Sequence, residues 1–129
     1  DDLLSMETGI LNNKGRVHFT LTEPINDQLA ALDRNMEKNE LIAAIASIID
    51  KEIYKHYRFY PCNYVAYDML TGTKRFSGNY GLRDKKHFEE YLQGQLDKIV
   101  LPNKDEAFLR TKILEMYTNP LKNHLASQE

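Results

Sequence analysis

The chain has 129 residues, of which 42% are hydrophobic and 28% charged, and a formal net charge of -2. That length suits one domain, and the composition excludes a disordered segment, in which too few apolar side chains would offset the entropy of ordering. Lys and Arg are spread along the chain rather than gathered in a basic tail, so no global field attracts nucleic acid, and a nucleic-acid partner is not expected.

Residues 1–12 predict a short helix, with Asp1 and Asp2 at its positive end and Leu3, Leu4, Met6 and Ile10 as apolar contacts. Asn12-Asn13-Lys14-Gly15 predicts a turn. Residues 16–22 then alternate, with Val17, Phe19 and Leu21 pointing one way and Arg16, His18, Thr20 and Thr22 the other. Such alternation predicts a half-buried strand, ended by Pro24. One strand cannot satisfy its own backbone, so its partners are expected outside this chain. The start at Asp1-Asp2-Leu3, without an initiator Met, reads the same way, as a piece cut from a longer protein. An exposed edge recruits partners, so pairing with another copy in a homodimer, or cover by the chain's own N-terminus, is expected.

From Asn26 onward the pattern is helical, with a short helix over 27–35 and a long one over 39–59. Along the long helix Leu41, Ile42, Ile45, Ile48, Ile49, Ile53 and Tyr57 form one stripe, and Glu40, Ala44, Ser47, Lys51, Lys55 and Arg58 the opposite face. Ile45, Ile49 and Ile53 are expected to be nearly fully buried against Leu92, Leu96, Ile113 and Met116. Pro61 stops this helix, and Asn63 is expected to cap a helix over 64–70 that Gly72 ends. Residues 73–83 predict a loop, and Asp84 starts a helix with Phe88, Tyr91, Leu92, Leu96 and Ile99 inward. Asn103 to Glu106 has capping-box spacing, and opens a helix carrying Phe108, Leu109, Ile113, Met116 and Tyr117. Asn119-Pro120 is expected to break it and start a last short helix. The predicted class is mainly α: amphipathic helices packed together with one or two N-terminal strands.

The longest apolar run, 41–49, is far short of the roughly 20 residues a membrane-spanning helix needs, so any membrane contact is expected to be peripheral. The lone Cys62 cannot form an internal disulfide, and no segment reads as a signal peptide, which together suit a reducing, cytoplasmic compartment.

Little here carries chemistry. No two of His18, His56, His87 and His124 share metal-ligand spacing, and the only Cys is isolated, so neither a zinc site nor a cofactor is expected. Cys62 with His56 would make a thiol-base pair, but Cys62 is expected instead to be a small buried residue at a helix break. The acid pairs Asp1-Asp2, Glu89-Glu90 and Asp105-Glu106 fall in helix first turns, where they complement the macrodipole. Residues 72–78 lack the glycine spacing and the Lys-Ser/Thr of a phosphate loop. Two features stand out. Tyr54, Tyr57, Tyr60, Tyr64 and Tyr67 recur every three or four residues, either as a packed helix seam or as an amphipathic wall for lipid. Lys74, Arg75, Arg83, Lys85 and Lys86 form a basic loop, either simply solvated or a holder for an anionic lipid headgroup or an acidic acyl carrier protein. Lys74, Arg75, Arg83 and Lys86 are the anion-binding candidates.

Lys14-Gly15-Arg16-Val17-His18-Phe19-Thr20-Leu21-Thr22-Glu23-Pro24-Ile25 resembles the last strand of the glycerolipid (1-acylglycerol-3-phosphate type) acyltransferase domain. Tyr60-Pro61-Cys62-Asn63-Tyr64-Val65-Ala66-Tyr67-Asp68 and Glu115-Met116-Tyr117-Thr118-Asn119-Pro120-Leu121 resemble the C-terminal extension of a bacterial subgroup of that family. The resemblance implies that residues 1–35 end the acyltransferase domain and 36–129 form the helical extension, with the upstream catalytic domain of the same polypeptide as partner. It also implies peripheral association with the inner membrane face. The family's reaction uses a His-x-x-x-x-Asp pair, in which the His deprotonates a glycerol hydroxyl as it attacks an acyl thioester. A Phe-Pro-Glu-Gly-type segment holds the acceptor's phosphate. Neither occurs here. His18 and His124 each have a Glu five residues on, never an Asp, so no catalytic residue carries over. A self-standing helical interaction module is the alternative.

Overall fold

The computed structural model describes residues 2–12 and 15–128, and among them it is helical with no strand. Six α-helices follow in order: α1 (Asp2–Leu11), α2 (Asn26–Ala30), α3 (Lys38–His56), α4 (Pro61–Thr71), α5 (Leu82–Asp97) and α6 (Glu106–Ala126). A short 3-10 turn, Ser77–Asn79, interrupts the loop between α4 and α5. The expected turn at 12–15 and the acid at position 1 fall partly outside the described residues, as does Lys14 of the resembling segment.

The mainly helical class stands, and the N-terminal strand does not. Residues 15–25 are non-helical, yet no backbone hydrogen bond ties 16–22 to a neighbour. The alternation has no counterpart in burial: both sides of 16–22 are exposed, Val17, Phe19 and Leu21 at 64%, 89% and 98%. A lone strand has no ladder to join, so period-two patterning could not produce a strand here. Neither a second segment of the chain nor its N-terminus covers this edge by hydrogen bonding among the described residues.

The core lies around α4, which packs on α6 and α5, whereas α3 packs on α6 alone. Its centre is Val65, Ala66, Phe88, Leu92, Leu96 and Leu114, with Cys62, Met69, Leu70, Leu109, Ile113 and Tyr117 partly buried around it. Helix α4 is central because it carries no Lys, Arg or Glu, and its one acid, Asp68, is satisfied internally. The buried stripe of α6 is Leu114, Thr118 and Leu121, one face of a helix at i, i+4, i+7. The Thr118 hydroxyl is fully enclosed and finds no partner.

The stripe expected on α3 is rotated. Leu41, Ile45 and Ile48 are half-buried against the bundle, together with Ala44, which the pattern put on the opposite face. Ile42, Ile49, Ile53 and Tyr57 are instead 54%, 42%, 50% and 43% exposed. The apolar face of α3 is about half the helix wide, and α6 covers only one side of it. Met116, expected as a core partner, is 60% exposed, and Phe108 55%.

Helix boundaries show what side chains do at the ends. Asn63 does not cap α4 from outside; it sits in the first turn and accepts a hydrogen bond from the Tyr60 backbone N–H at 3.0 Å through Oδ1. Gly72, at φ 66, ends the helix in the left-handed region as expected. Asp84 likewise lies inside α5, accepting from the Gly81 N–H at 2.8 Å. The cap of α6 is Asp105, which accepts from the Phe108 N–H at 3.0 Å, rather than Asn103. Helix α2 stops at Ala30, short of the expected 35, and α3 at His56, short of the expected 59.

Pro120 does not break α6. Its missing N–H strips a donor from the Met116 carbonyl, which lies on the exposed side where water can replace it. One residue on, the Tyr117 carbonyl receives the Asn63 Nδ2 at 2.8 Å. That bond ties α4 to α6 close to the proline.

Candidate functional site

The loop that carries Lys74 and Arg75, two of the four predicted anion-binding residues, is organised by Asp68. Its carboxylate is 4% exposed and accepts from the Thr73 hydroxyl at 3.2 Å, the Phe76 N–H at 3.1–3.2 Å and the Tyr80 hydroxyl at 3.0 Å. No cation pairs with it among the described residues, so three neutral donors replace the water it lost. The chain from Thr73 to Tyr80 is thereby wrapped around one buried acid. The Tyr80 phenol is pushed above its ordinary value by burial, and further because ionising it would set a second negative charge beside Asp68.

Beside this loop lies a cleft of about 550 Å3, bounded by Asp68 and Met69 of α4, Lys74, Ser77 and Tyr80 of the loop, and Leu82 and Lys85 of α5. Of the candidates, Lys74 faces this cleft, and Lys85 joins it from α5. Arg75 is turned away: its guanidinium lies 5.2 Å from the Phe76 ring centre and 6.0 Å from that of Tyr67, and its Nη1 donates to the Tyr67 hydroxyl at 3.4 Å. Lys86 points along α5 to Glu90, 3.9 Å away and exposed. Arg83 is exposed on the first turn of α5 and does not line the cleft. The structure therefore brings together Lys74 and Lys85, and separates Arg75 and Lys86 from them.

The tyrosine row becomes a seam of rings. Phe59 and Phe76, between and beyond the tyrosines in sequence, stitch it: Phe59 stands 5.1 Å from Tyr57 and 6.0 Å from Tyr64, and Phe76 stands 5.4 Å from Tyr64 and 5.0 Å from Tyr67. His124 closes the end, edge-on to Phe59 at 5.0 Å, and its Nδ1 donates to the Tyr54 carbonyl at 2.6 Å. A carbonyl can only accept, so Nδ1 carries the proton, and Nε2 of the neutral ring accepts from Gln128 at 2.9 Å. His124 thus ties α6 to the end of α3.

The thiol-base pair does not form. His56 turns back on its own helix, within 3.0 Å of the Glu52 carbonyl and 3.4 Å of its carboxylate. Burial raises the Cys62 thiol above its ordinary value, the opposite of what an activated thiolate needs. His18 and His56 do line one groove of about 460 Å3, where the polar side of residues 16–22 runs past the end of α3. His87 is exposed on α5. Among the described residues no three His, Cys, Asp or Glu side chains are grouped to hold a metal ion, and no helix is long and apolar enough to cross a membrane.

A second phenol pair joins α5 to α6, where the Tyr117 hydroxyl donates to that of Tyr91 at 2.8 Å. Burial, then the neighbouring Tyr91, hold Tyr117 far above the ordinary phenol value. A phenol raised in the folded state contributes stability that is complete below the ordinary value of 10.0 and lost as pH rises through the raised one, because only the unfolded chain gains by ionising. Melting temperature is therefore expected to hold up to about pH 9 and fall above about pH 10, and Tyr117→Phe is expected to flatten that fall. An unchanged alkaline slope in the variant would remove Tyr117 from the account.

Sequence reasoning missed Asp68 and Asn63 as organisers. Each is a short polar residue inside an otherwise apolar helix, and a burial signal was present in the lack of long charged side chains over 61–71. Which partners they meet depends on segments up to 54 residues away. No protein family, curated protein or solved structure matches this chain.

Proposed function

We propose that this chain is the non-catalytic C-terminal part of a glycerolipid-type acyltransferase, which docks on and braces the catalytic domain of the same polypeptide. The observation that carries the reading is the segment 16–22. Its backbone has no ladder partner among the described residues, and its apolar face of Val17, Phe19 and Leu21 is turned to solvent. An extended, alternating segment with free N–H and C=O groups is what a sheet edge takes up, main chain for affinity and alternate side chains for register. The resemblance of residues 14–25 to the family's last strand gives that edge an owner, the acyltransferase sheet. In this reading α3 to α6 are the brace, and acyl transfer from a thioester to a glycerolipid hydroxyl takes place on residues outside this chain. The proposed setting is the cytoplasmic side of the membrane, with peripheral contact only.

One observation favours a self-standing interaction module instead: the α4–α6 core closes without contribution from the first 60 residues. The sequence encoded ahead of Asp1 separates the two readings. A His-x-x-x-x-Asp pair there supports the acyltransferase, and an unrelated domain overturns it. Incubated with an acyl thioester and a lysophospholipid, the isolated chain is expected to release no thiol above the enzyme-free rate. Turnover that His18→Ala abolishes would overturn the non-catalytic assignment.

A further inference from the structure

We propose that the cleft between the 73–81 loop and the start of α5 binds a phosphate group, as free phosphate or as a phosphate-bearing lipid headgroup, on Lys74 and Lys85. The inference stands apart from the acyltransferase reading, since it uses only α4, α5 and the loop between them. At about 550 Å3 the cleft falls within the size range of small-molecule sites, and Lys74, Ser77 and Lys85 all line it. Neither lysine has a carboxylate partner among the described residues, and the Ser77 hydroxyl has no hydrogen-bond partner there. Two ammonium groups and a hydroxyl on one concave surface are uncommitted donors, and a phosphate dianion matches two cations where a carboxylate matches one.

The floor decides the sign of the ligand. Asp68 would suit a cation if its oxygens were free, but both already accept, from Thr73, Phe76 and Tyr80. Its charge remains, one negative against the two ammonium groups of Lys74 and Lys85, so the lining is net positive, and a cation entering would meet those groups while both Asp68 oxygens are already taken. Because Asp68 and the Asp84–Gly81 bond already hold the wall in place, binding does not first have to order the loop.

The test is an amide NMR titration of the chain with inorganic phosphate at low ionic strength, where screening is weak. Saturable shifts are expected in residues 73–85, and Lys74→Ala/Lys85→Ala is expected to weaken binding by about tenfold or more. Lys51→Ala/Lys55→Ala, an equal charge loss on the exposed face of α3, should leave binding unchanged. All four lysines are exposed, so both variants keep the fold. A second arm compares vesicles of phosphatidic acid and of phosphatidylcholine. Preference for phosphatidic acid that is lost in Lys74→Ala/Lys85→Ala assigns a lipid headgroup, and saturation by phosphate without that preference assigns the free ion. Absence of saturable shifts, or equal weakening in both double variants, overturns the proposal.

Discussion

Replacing Leu92 by Ala is expected to lower the unfolding free energy by about 2–5 kcal/mol, and Ile49→Ala by about 1 kcal/mol or less. Both remove the same kind of carbon from an amphipathic helix, and both belong to stripes of similar apolar content. The difference is what covers them. Leu92 is 0% exposed at the centre of the α4–α5–α6 core, so its truncation removes transfer energy and leaves a cavity that the packed neighbours cannot collapse. Ile49 is 42% exposed on the outer side of α3, so water already reaches it and no cavity forms. Urea unfolding of the two variants measures the contrast. Equal midpoints would mean that the outer face of α3 is covered in solution, by a second copy or by another part of a longer chain.

Asn63→Ala is expected to cost about 2–4 kcal/mol, more than most substitutions of a polar residue. The side chain serves two buried groups at once: Oδ1 accepts from the Tyr60 N–H at the start of α4, and Nδ2 donates to the Tyr117 carbonyl beside Pro120. Truncation takes the side-chain acceptor from the Tyr60 N–H, at about 1–3 kcal/mol for a group so stranded, and removes the tie between α4 and α6. Asn63→Asp separates the two roles, because a carboxylate still accepts from Tyr60 but sets a negative oxygen against the Tyr117 carbonyl. If the Asp variant is as unstable as the Ala variant, the tie to α6 dominates; if it is near wild type, the helix start does. An Ala variant within about 0.5 kcal/mol of wild type would mean that water replaces both bonds and that α6 bends at Pro120 without help.

The segments that form helices were legible because each is long enough for apolar periodicity to exceed local noise, and because their ends carry local chemistry: Gly72 at a left-handed C-cap, and acids such as Asp84 and Asp105 reaching N–H groups within three residues. Interactions of that range are written in neighbouring residues. The basic loop was legible as a composition, but not as a site. Arg75 and Lys74 are adjacent in sequence, yet one stacks on Tyr67 and Phe76 while the other lines the cleft with Lys85.

What the sequence by itself determined is the helical class, most of the helix positions and the lack of a His-x-x-x-x-Asp spacing, since these depend on residue type and short spacing. Only the tertiary structure decided which apolar faces are buried. Periodicity shows that α3 has an apolar side, but Leu41, Ile45 and Ile48 are half-buried while Ile42, Ile49 and Ile53 stay on the exposed side. The same holds for residues 16–22, whose alternation is that of a strand although no neighbouring strand completes it. It holds for Pro120 too, whose local tendency is to break a helix although α6 runs through it, tied nearby to Asn63 of a different helix. In each case the local pattern states a tendency, and the free energy that realises it comes from a partner distant in sequence.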